Sequence, residues 1–315
     1  MSFIDRSGGH RPRRPLGIIR QLPQALLLAA AAAGVAAMPR EVPNMRFATV
    51  SLPTGVRMHY AEQGSTGGTP IIMLHGYTDS WYSFSRVMPL MSSQYHVYAV
   101  DLRGHGNSDR PATGYSLQEM ANDVLAFMDA MKLDRAVVLG HSAGGLVAQK
   151  VAATAPDRVS ALVLTGTGPS IADMMGYDEF RTAIMSLQDP ISADFVREFQ
   201  TAMVQQPVPA DFLNTAISES RKVPARVWTA YMQGMIDAPA VSGFGNASFP
   251  SLIIWGENDA VFNRQAQDKM MAALPNVKLT VYGATGHSPH WERPERYVTN
   301  LEAFLQSAGM RKSVD

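Results

Sequence analysis

The stretch Val137-Val138-Leu139-Gly140-His141-Ser142-Ala143-Gly144-Gly145 restricts the fold more than any other part of the 315-residue chain. An apolar run ends at a glycine, a single serine follows, and two further glycines open a run of helix formers. This order predicts a strand, a tight turn and a helix in immediate succession. Gly140 and Gly144 flank Ser142 at two residues on either side, the pattern G-x-S-x-G. Glycines fit there because a strand passes directly into a helix only where backbone packs on backbone with no Cβ between. The serine at the apex is then held in a strained turn with its hydroxyl outward. The following helix aims its partial positive charge at the same point. A glycine-rich turn with a capping serine would carry the same letters, so partners elsewhere in the chain must decide.

Around this unit the chain alternates. Residues 47–52 and 56–61 read as a hairpin about Pro53-Thr54-Gly55. A short buried strand, 70–74, ends at His75-Gly76-Tyr77; 81–91 carries helical periodicity; 96–100 is a strand. After the turn-rich loop 101–108, Ser116-Leu117-Gln118-Glu119 forms a capping box. It opens a helix whose apolar residues Leu117, Met120, Ala121, Val124, Phe127, Met128 and Met131 follow i, i+3, i+4, i+7 spacing. A helix over 146–155 and a strand over 161–164 come next. Regular β-α alternation predicts an α/β fold, a mostly parallel sheet with helices on both faces, with ligands at the carboxyl ends of the strands. The serine lies at one such end.

Between 169 and 248 the alternation breaks into a largely helical, methionine-rich stretch, read as a cap inserted within one domain. Its thioethers and aromatics pack a helical layer and can also line an adaptable apolar pocket. The core accordingly comprises 46–168 and 249–308. Strand 251–255 then leads into Gly256-Glu257-Asn258-Asp259, and strand 277–282, preceded by Pro275-Asn276, leads into Gly283-Ala284-Thr285-Gly286-His287; a last helix spans 294–306. Asp259 and His287 thus follow successive strands, at the end that carries Ser142, in the chain order Ser…Asp…His. His290 is three residues further on and falls in the approach to the last helix.

Composition excludes several classes. Lys+Arg and Asp+Glu are equal at 27 each, so no net field recruits nucleic acid or an anionic membrane. With Cys 0, disulfides and thiolate chemistry are excluded. At 46% hydrophobic residues the chain can bury a substantial core. Residues 1–45 stand apart. Arg11, Arg13 and Arg14 precede a charge-free segment, 21–39, with Leu26-Leu27-Leu28 and five successive alanines. This is a signal-peptide pattern, and the Arg13-Arg14 pair suggests the twin-arginine kind. It implies export to periplasm or medium with only transient membrane contact; a cytoplasmic protein with a disordered extension and an uncleaved membrane anchor are the alternatives.

Over residues 46–307 the chain resembles the α/β-hydrolase fold superfamily. The resemblance is carried by His75-Gly76-Tyr77, the 101–108 loop, Gly140 to Gly144, Gly256 to Asp259, Gly286-His287 and Trp291-Glu292-Arg293-Pro294. Within it the esterase, lipase and perhydrolase-like branch with Gly-His-Ser-x-Gly-Gly elbows is most similar. The resemblance implies an eight-stranded sheet, its second strand antiparallel, with the cap after the sixth. It implies Ser142 as nucleophile, Asp259 as acid and His287 as base, with the backbone N–H groups of Tyr77 and Ala143 as an oxyanion hole. Such chemistry requires no metal and no organic cofactor. Trp81, His141 and Trp291 are candidate pocket residues, with burial beneath the turns as the competing role. The implied substrate is a small or medium, largely apolar ester. Carbon–carbon bond hydrolysis, perhydrolysis and a non-catalytic ligand receptor are the alternatives on the same scaffold; oligomeric state is not encoded in any pattern of the chain.

Overall fold

The computed structural model describes residues 45–310, apart from 241–243, 245, 246 and 275. The expected export segment lies outside the described residues save for Met45, and so does Pro275. Eight strands form one sheet: β1 (Arg46–Ser51), β2 (Arg57–Gly64), β3 (Thr69–Leu74), β4 (Tyr95–Val100), β5 (Ala136–His141), β6 (Val159–Thr165), β7 (Ser251–Gly256) and β8 (Val277–Tyr282). Their spatial order is β1-β2-β4-β3-β5-β6-β7-β8. Only β2 runs antiparallel to its neighbours, with Arg46 opposite Glu62 on one side and Tyr60 opposite Val100 on the other. From β4 to β8 every pairing is parallel.

The central strands are continuous apolar runs because both of their faces are covered. In β3, Ile72 and Leu74 enter one core and Ile71 and Met73 the other; in β5, Ala136 and Val138 part from Val137 and Leu139 in the same way. The first core is closed by α1 (Leu117–Ala130) and α2 (Ala143–Thr154). The capping box forms as the sequence predicts: Ser116 Oγ accepts from the Glu119 amide (3.2 Å) and Glu119 Oε2 from the Ser116 amide (3.1 Å).

Four helices, α3 (Tyr177–Met185), α4 (Ala193–Thr201), α5 (Ala210–Arg221) and α6 (Ala225–Ile236), fill the interval between β6 and β7. After β7 come α7 (Arg264–Ala273), then β8, the single turn α8 (Pro289–Glu292) and α9 (Pro294–Ser307), whose Leu301, Phe304 and Leu305 close the second core. One expectation changes, and one helix is added that the sequence left unmarked. Residues 81–91 are not one helix but two 3₁₀ turns, Trp81–Phe84 and Met88–Leu90. Pro89 lacks the amide and clashes with the preceding turn, so a continuous helix cannot pass it. Helix α7 carries only a thin buried stripe of Ala266, Gln267 and Met270, too little periodicity to mark it in the sequence. No helix among the described residues is long and apolar enough to cross a membrane.

Candidate active site

Ser142 sits between β5 and α2 at φ 52°, ψ −121°, a conformation that favours glycine and that the surrounding backbone enforces. Its amide donates to Thr165 O (2.9 Å) and its carbonyl accepts from Gly145 (2.8 Å). The turn closes only because side chains are missing on either side of it. A Cβ on Gly144 would lie 2.3 Å from the carbonyl oxygens of both Leu74 and His75, and one on Gly140 2.3 Å from Gly144 O.

The loops after β7 and β8 bring two partners to this apex. Ser142 Oγ lies 2.8 Å from His287 Nε2, and His287 Nδ1 lies 3.0 and 3.1 Å from the two Asp259 carboxylate oxygens. With the imidazole neutral, the hydroxyl donates to Nε2 and Nδ1–H donates to the carboxylate. Asp259 Oδ1 also accepts from the amides of Val261 (2.7 Å) and Phe262 (3.1 Å), which fixes the carboxylate plane. Asp259 and His287 are buried, whereas Ser142 keeps partial exposure. The reachable atom of the trio is therefore the hydroxyl oxygen.

Opposite the serine, the loop after β3 is held by His75. Its Nε2 accepts from the Leu102 amide (3.0 Å), so its Nδ1–H donates to Gly76 O (2.8 Å). Burial pushes the imidazole below its usual range, in keeping with that neutral tautomer. The Asp79 amide donates to the same Gly76 carbonyl (3.2 Å), closing a turn over Tyr77 and Thr78. Among the described residues neither the Tyr77 amide nor the Ala143 amide has a protein acceptor.

Of the candidate pocket residues, His141 and Trp291 are found in the competing role, buried beneath the turns, and Trp81 lies at the sheet edge. Trp81 donates its amide to Asp101 Oδ1 (2.7 Å), and its ring lies against Phe47 at the sheet edge (4.8 Å between centroids) and against Tyr82. Trp291 is fully buried, its Nε1 within 3.0 Å of both Ser83 O and Ser83 Oγ and its ring edge-on to Phe212. It serves as scaffold behind the site. His141 is buried too, its Nε2 3.3 Å from His287 O, so it supports the backbone of the histidine loop. Burial first, and then the nearby His290 and His287, hold its pKa well below the usual value. His290 pairs with Ser83 Oγ (3.2 Å), and burial pushes its pKa down to about 3. His105 and Asp101 fix their own loop: His105 Nδ1 donates to Arg103 O, and Asp101 Oδ2 accepts from His59 and the Asn107 amide.

Four further groups border the site, and no sequence signal marks Asp79, Gln200 or Ser220. Asp79, Gln200 and Ser220 are joined by buried hydrogen bonds. Glu292 accepts from the amides of Gly286 (2.9 Å), Gln205 (3.2 Å) and Gln206 (2.8 Å), tying the cap to the histidine loop. The contacts that join the cap to Asp79 and to Glu292 span 80 or more positions of chain, beyond the reach of local pattern. Among the described residues no group of three or more histidines and carboxylates is arranged to hold a metal ion.

Comparison with known proteins identifies the family. A non-heme chloroperoxidase of Streptomyces lividans is 29% identical over 289 residues, covering 82% of this chain and 99% of that protein. A 2-hydroxy-6-oxononadienedioate/2-hydroxy-6-oxononatrienedioate hydrolase of Cupriavidus pinatubonensis is 27% identical over 283 residues, covering 84% and 96%. The crystal structure of an esterase from Rhodococcus superposes with a TM-score of 0.71 at 26% identity, covering 84% of this chain and 99% of that one. The family model for the alpha/beta hydrolase fold matches residues 69–294, which include the serine elbow, both partner loops and the whole interposed cap. The chain is a hydrolase of the alpha/beta hydrolase fold family.

Proposed function

We propose that this enzyme cleaves a small or medium, largely apolar carboxylic ester through an acyl-serine intermediate on Ser142. The observation that carries the reading is the unbroken relay from Ser142 Oγ through His287 to Asp259, with steps of 2.8 and 3.0 Å. A serine hydroxyl is a poor nucleophile until a neutral imidazole takes its proton during attack. His287 Nε2 takes that proton as the Ser142 Oγ–carbonyl bond forms, then returns it to the departing alcohol. Asp259 holds the imidazole in the required tautomer and stabilises the cation without itself being protonated. Water, deprotonated by the same His287, then attacks the acyl group and frees Ser142.

In each half-reaction negative charge gathers on the former carbonyl oxygen. The amides of Tyr77 and Ala143, unclaimed by any described protein acceptor, are the donors that would receive it. The loss of one such donor costs about 3 kcal/mol of transition-state stabilisation in other hydrolases. The aromatic cap residues Phe180, Phe199, Trp228 and Tyr231 surround the Tyr77 ring and suit an apolar acyl or alkyl group.

The deciding experiment is hydrolysis of a short p-nitrophenyl ester by wild type and Ser142→Ala, with mass spectrometry after a fluorophosphonate. Turnover is expected to fall by about four to six orders of magnitude, and the wild type alone to gain one adduct, on Ser142. Turnover retained by the variant would end the proposal. Similarity to a chloroperoxidase and to a carbon–carbon hydrolase favours a second reading of the same relay. Hydrogen peroxide in place of water would release a peracid, seen as peroxide-dependent halide oxidation in acetate, and a meta-cleavage dienoate tests the carbon–carbon activity. We propose export for the mature protein from the basic and apolar pattern of its first 45 residues; N-terminal sequencing of secreted material tests it.

A further inference from the structure

Three consecutive residues of the loop that bears the Tyr77 amide are each tied to a different helix of the cap. The Tyr77 hydroxyl donates to Trp228 O on α6 (2.5 Å). Thr78 O accepts from Ser220 Oγ on α5 (2.9 Å). Asp79 Oδ1 accepts from Gln200 Nε2 on α4 (2.9 Å), and the same Nε2 donates to Ser220 Oγ (2.5 Å). All six residues are buried. Thr78 stands at φ 60°, a left-handed conformation that a threonine adopts only where its surroundings over-determine it. The cap supplies those surroundings. Gln200 and Ser220 are polar groups among the buried residues of α4 and α5, with Val196, Phe212 and Ile217, a place where a polar side chain is costly unless it is partnered. For Ser220 the partner on the core is the Thr78 carbonyl, and for Gln200 the Asp79 carboxyl.

We propose that the cap is part of the oxyanion machinery: Gln200 and Ser220 are positioning residues that hold the 77–79 loop so that the Tyr77 amide points at the developing oxyanion. The cap then does more than cover the pocket. When it is seated, the donor is aimed; when α4 and α5 lift away, Thr78 loses the contact that keeps it left-handed and the donor swings off line. Neither residue touches the substrate. The inference rests on the ester-hydrolase reading above, and its test separates the two.

The test compares wild type, Ser220→Ala and Gln200→Met in ester hydrolysis and in inhibition by two matched ligands. One is an alkyl trifluoromethyl ketone, which adds to Ser142 and carries an oxyanion. The other is the secondary alcohol of the same chain length, which binds the pocket and carries none. Both variants are expected to lose between about tenfold and a hundredfold in kcat, short of the 10²–10³ lost when a donor is deleted outright. KM is expected to hold. The inhibition constant of the ketone should rise by the same factor as kcat/KM falls, while that of the alcohol stays within twofold. Thermal melts establish that each variant is folded; should Ser220→Ala not fold, Gln200→Met carries the same comparison. Parallel weakening of ketone and alcohol, a change in KM alone, or no change in either variant overturns the proposal. A wild type that the ketone does not inhibit overturns the ester-hydrolase reading instead.

Discussion

Burial raises the Asp79 carboxyl from 3.8 to about 7, against hydrogen bonds from Gln200 and Ser83 and the nearby His287 that favour the charged form. Glu219, a second carboxylate within electrostatic reach, adds to the rise. The folded protein therefore keeps this proton up to about pH 7, while the unfolded chain releases it near pH 4. Folding takes up a proton across that window, so Asp79 stabilises the fold fully below it and progressively less as the pH rises through it. The slope is about 1.4 kcal/mol per pH unit. Asp79→Asn keeps the shape and removes the titration, so it should gain stability relative to wild type between pH 5 and pH 8. Chemical denaturation at both pH values checks this, and an identical difference at the two would refute it. The hydrogen-bonded arrangement of Ser142, His287 and Asp259 was legible at this scale because each residue follows a strand and carries a chemically distinctive side chain. Trp291 was not, since its letter says only that it is large. With its indole N–H on Ser83, Trp291→Phe should cost about 1–3 kcal/mol of stability and leave preference among esters unchanged. An altered chain-length preference at unaltered stability would return the ring to the pocket.

The elbow is the element on which sequence and structure agree most closely, and close packing explains why. Strand β5, the serine and α2 follow one another without a spare residue, and Gly144 packs directly on the carbonyls of Leu74 and His75. Backbone on both sides cannot give way. Gly144→Ala should consequently lose 3 kcal/mol or roughly that order, or fail to fold. Gly283→Ala, whose Cβ would meet only Glu257 Oε2 at 3.7 Å, should stay within about 0.5 kcal/mol. Equal melting temperatures for the two variants would contradict the packing argument. Where elements are set by local signals, such as the Ser116 capping box or the 53–55 hairpin turn, the sequence pattern locates them to within a residue or two. Where tertiary packing decides, it does not. The 81–91 segment has helical spacing, but Pro89 and the hold of Asp101 on the Trp81 amide break it into two turns.

At the scale of the molecule, β-α alternation specified the sheet and the place of the cap, because parallel strands need crossovers and crossovers leave a periodic trace. The face that the cap packs on the 77–79 loop left no such trace, being assembled from helices whose contacts cross 100 or more residues, as between Gln200 and Asp79. On the proposed ester-hydrolase reading, substrate preference belongs to that face. Phe199 on α4 lies with its ring centroid 6.2 Å from that of Tyr77, 6.1 Å from Phe180 and 5.4 Å from Trp228, and it is only partly buried. Phe199→Ala opens space beside the loop that faces the serine, and each methylene buried there adds about 0.8 kcal/mol. Gln200 is the next residue, so absolute rates can fall for reasons of loop position. Such a defect slows every ester alike, however, and the ratio of kcat/KM between two esters is free of it. For p-nitrophenyl octanoate over acetate that ratio should rise by about tenfold in the variant, two methylenes' worth of burial. A ratio equal to that of wild type would show that the acyl chain lies elsewhere, away from α4.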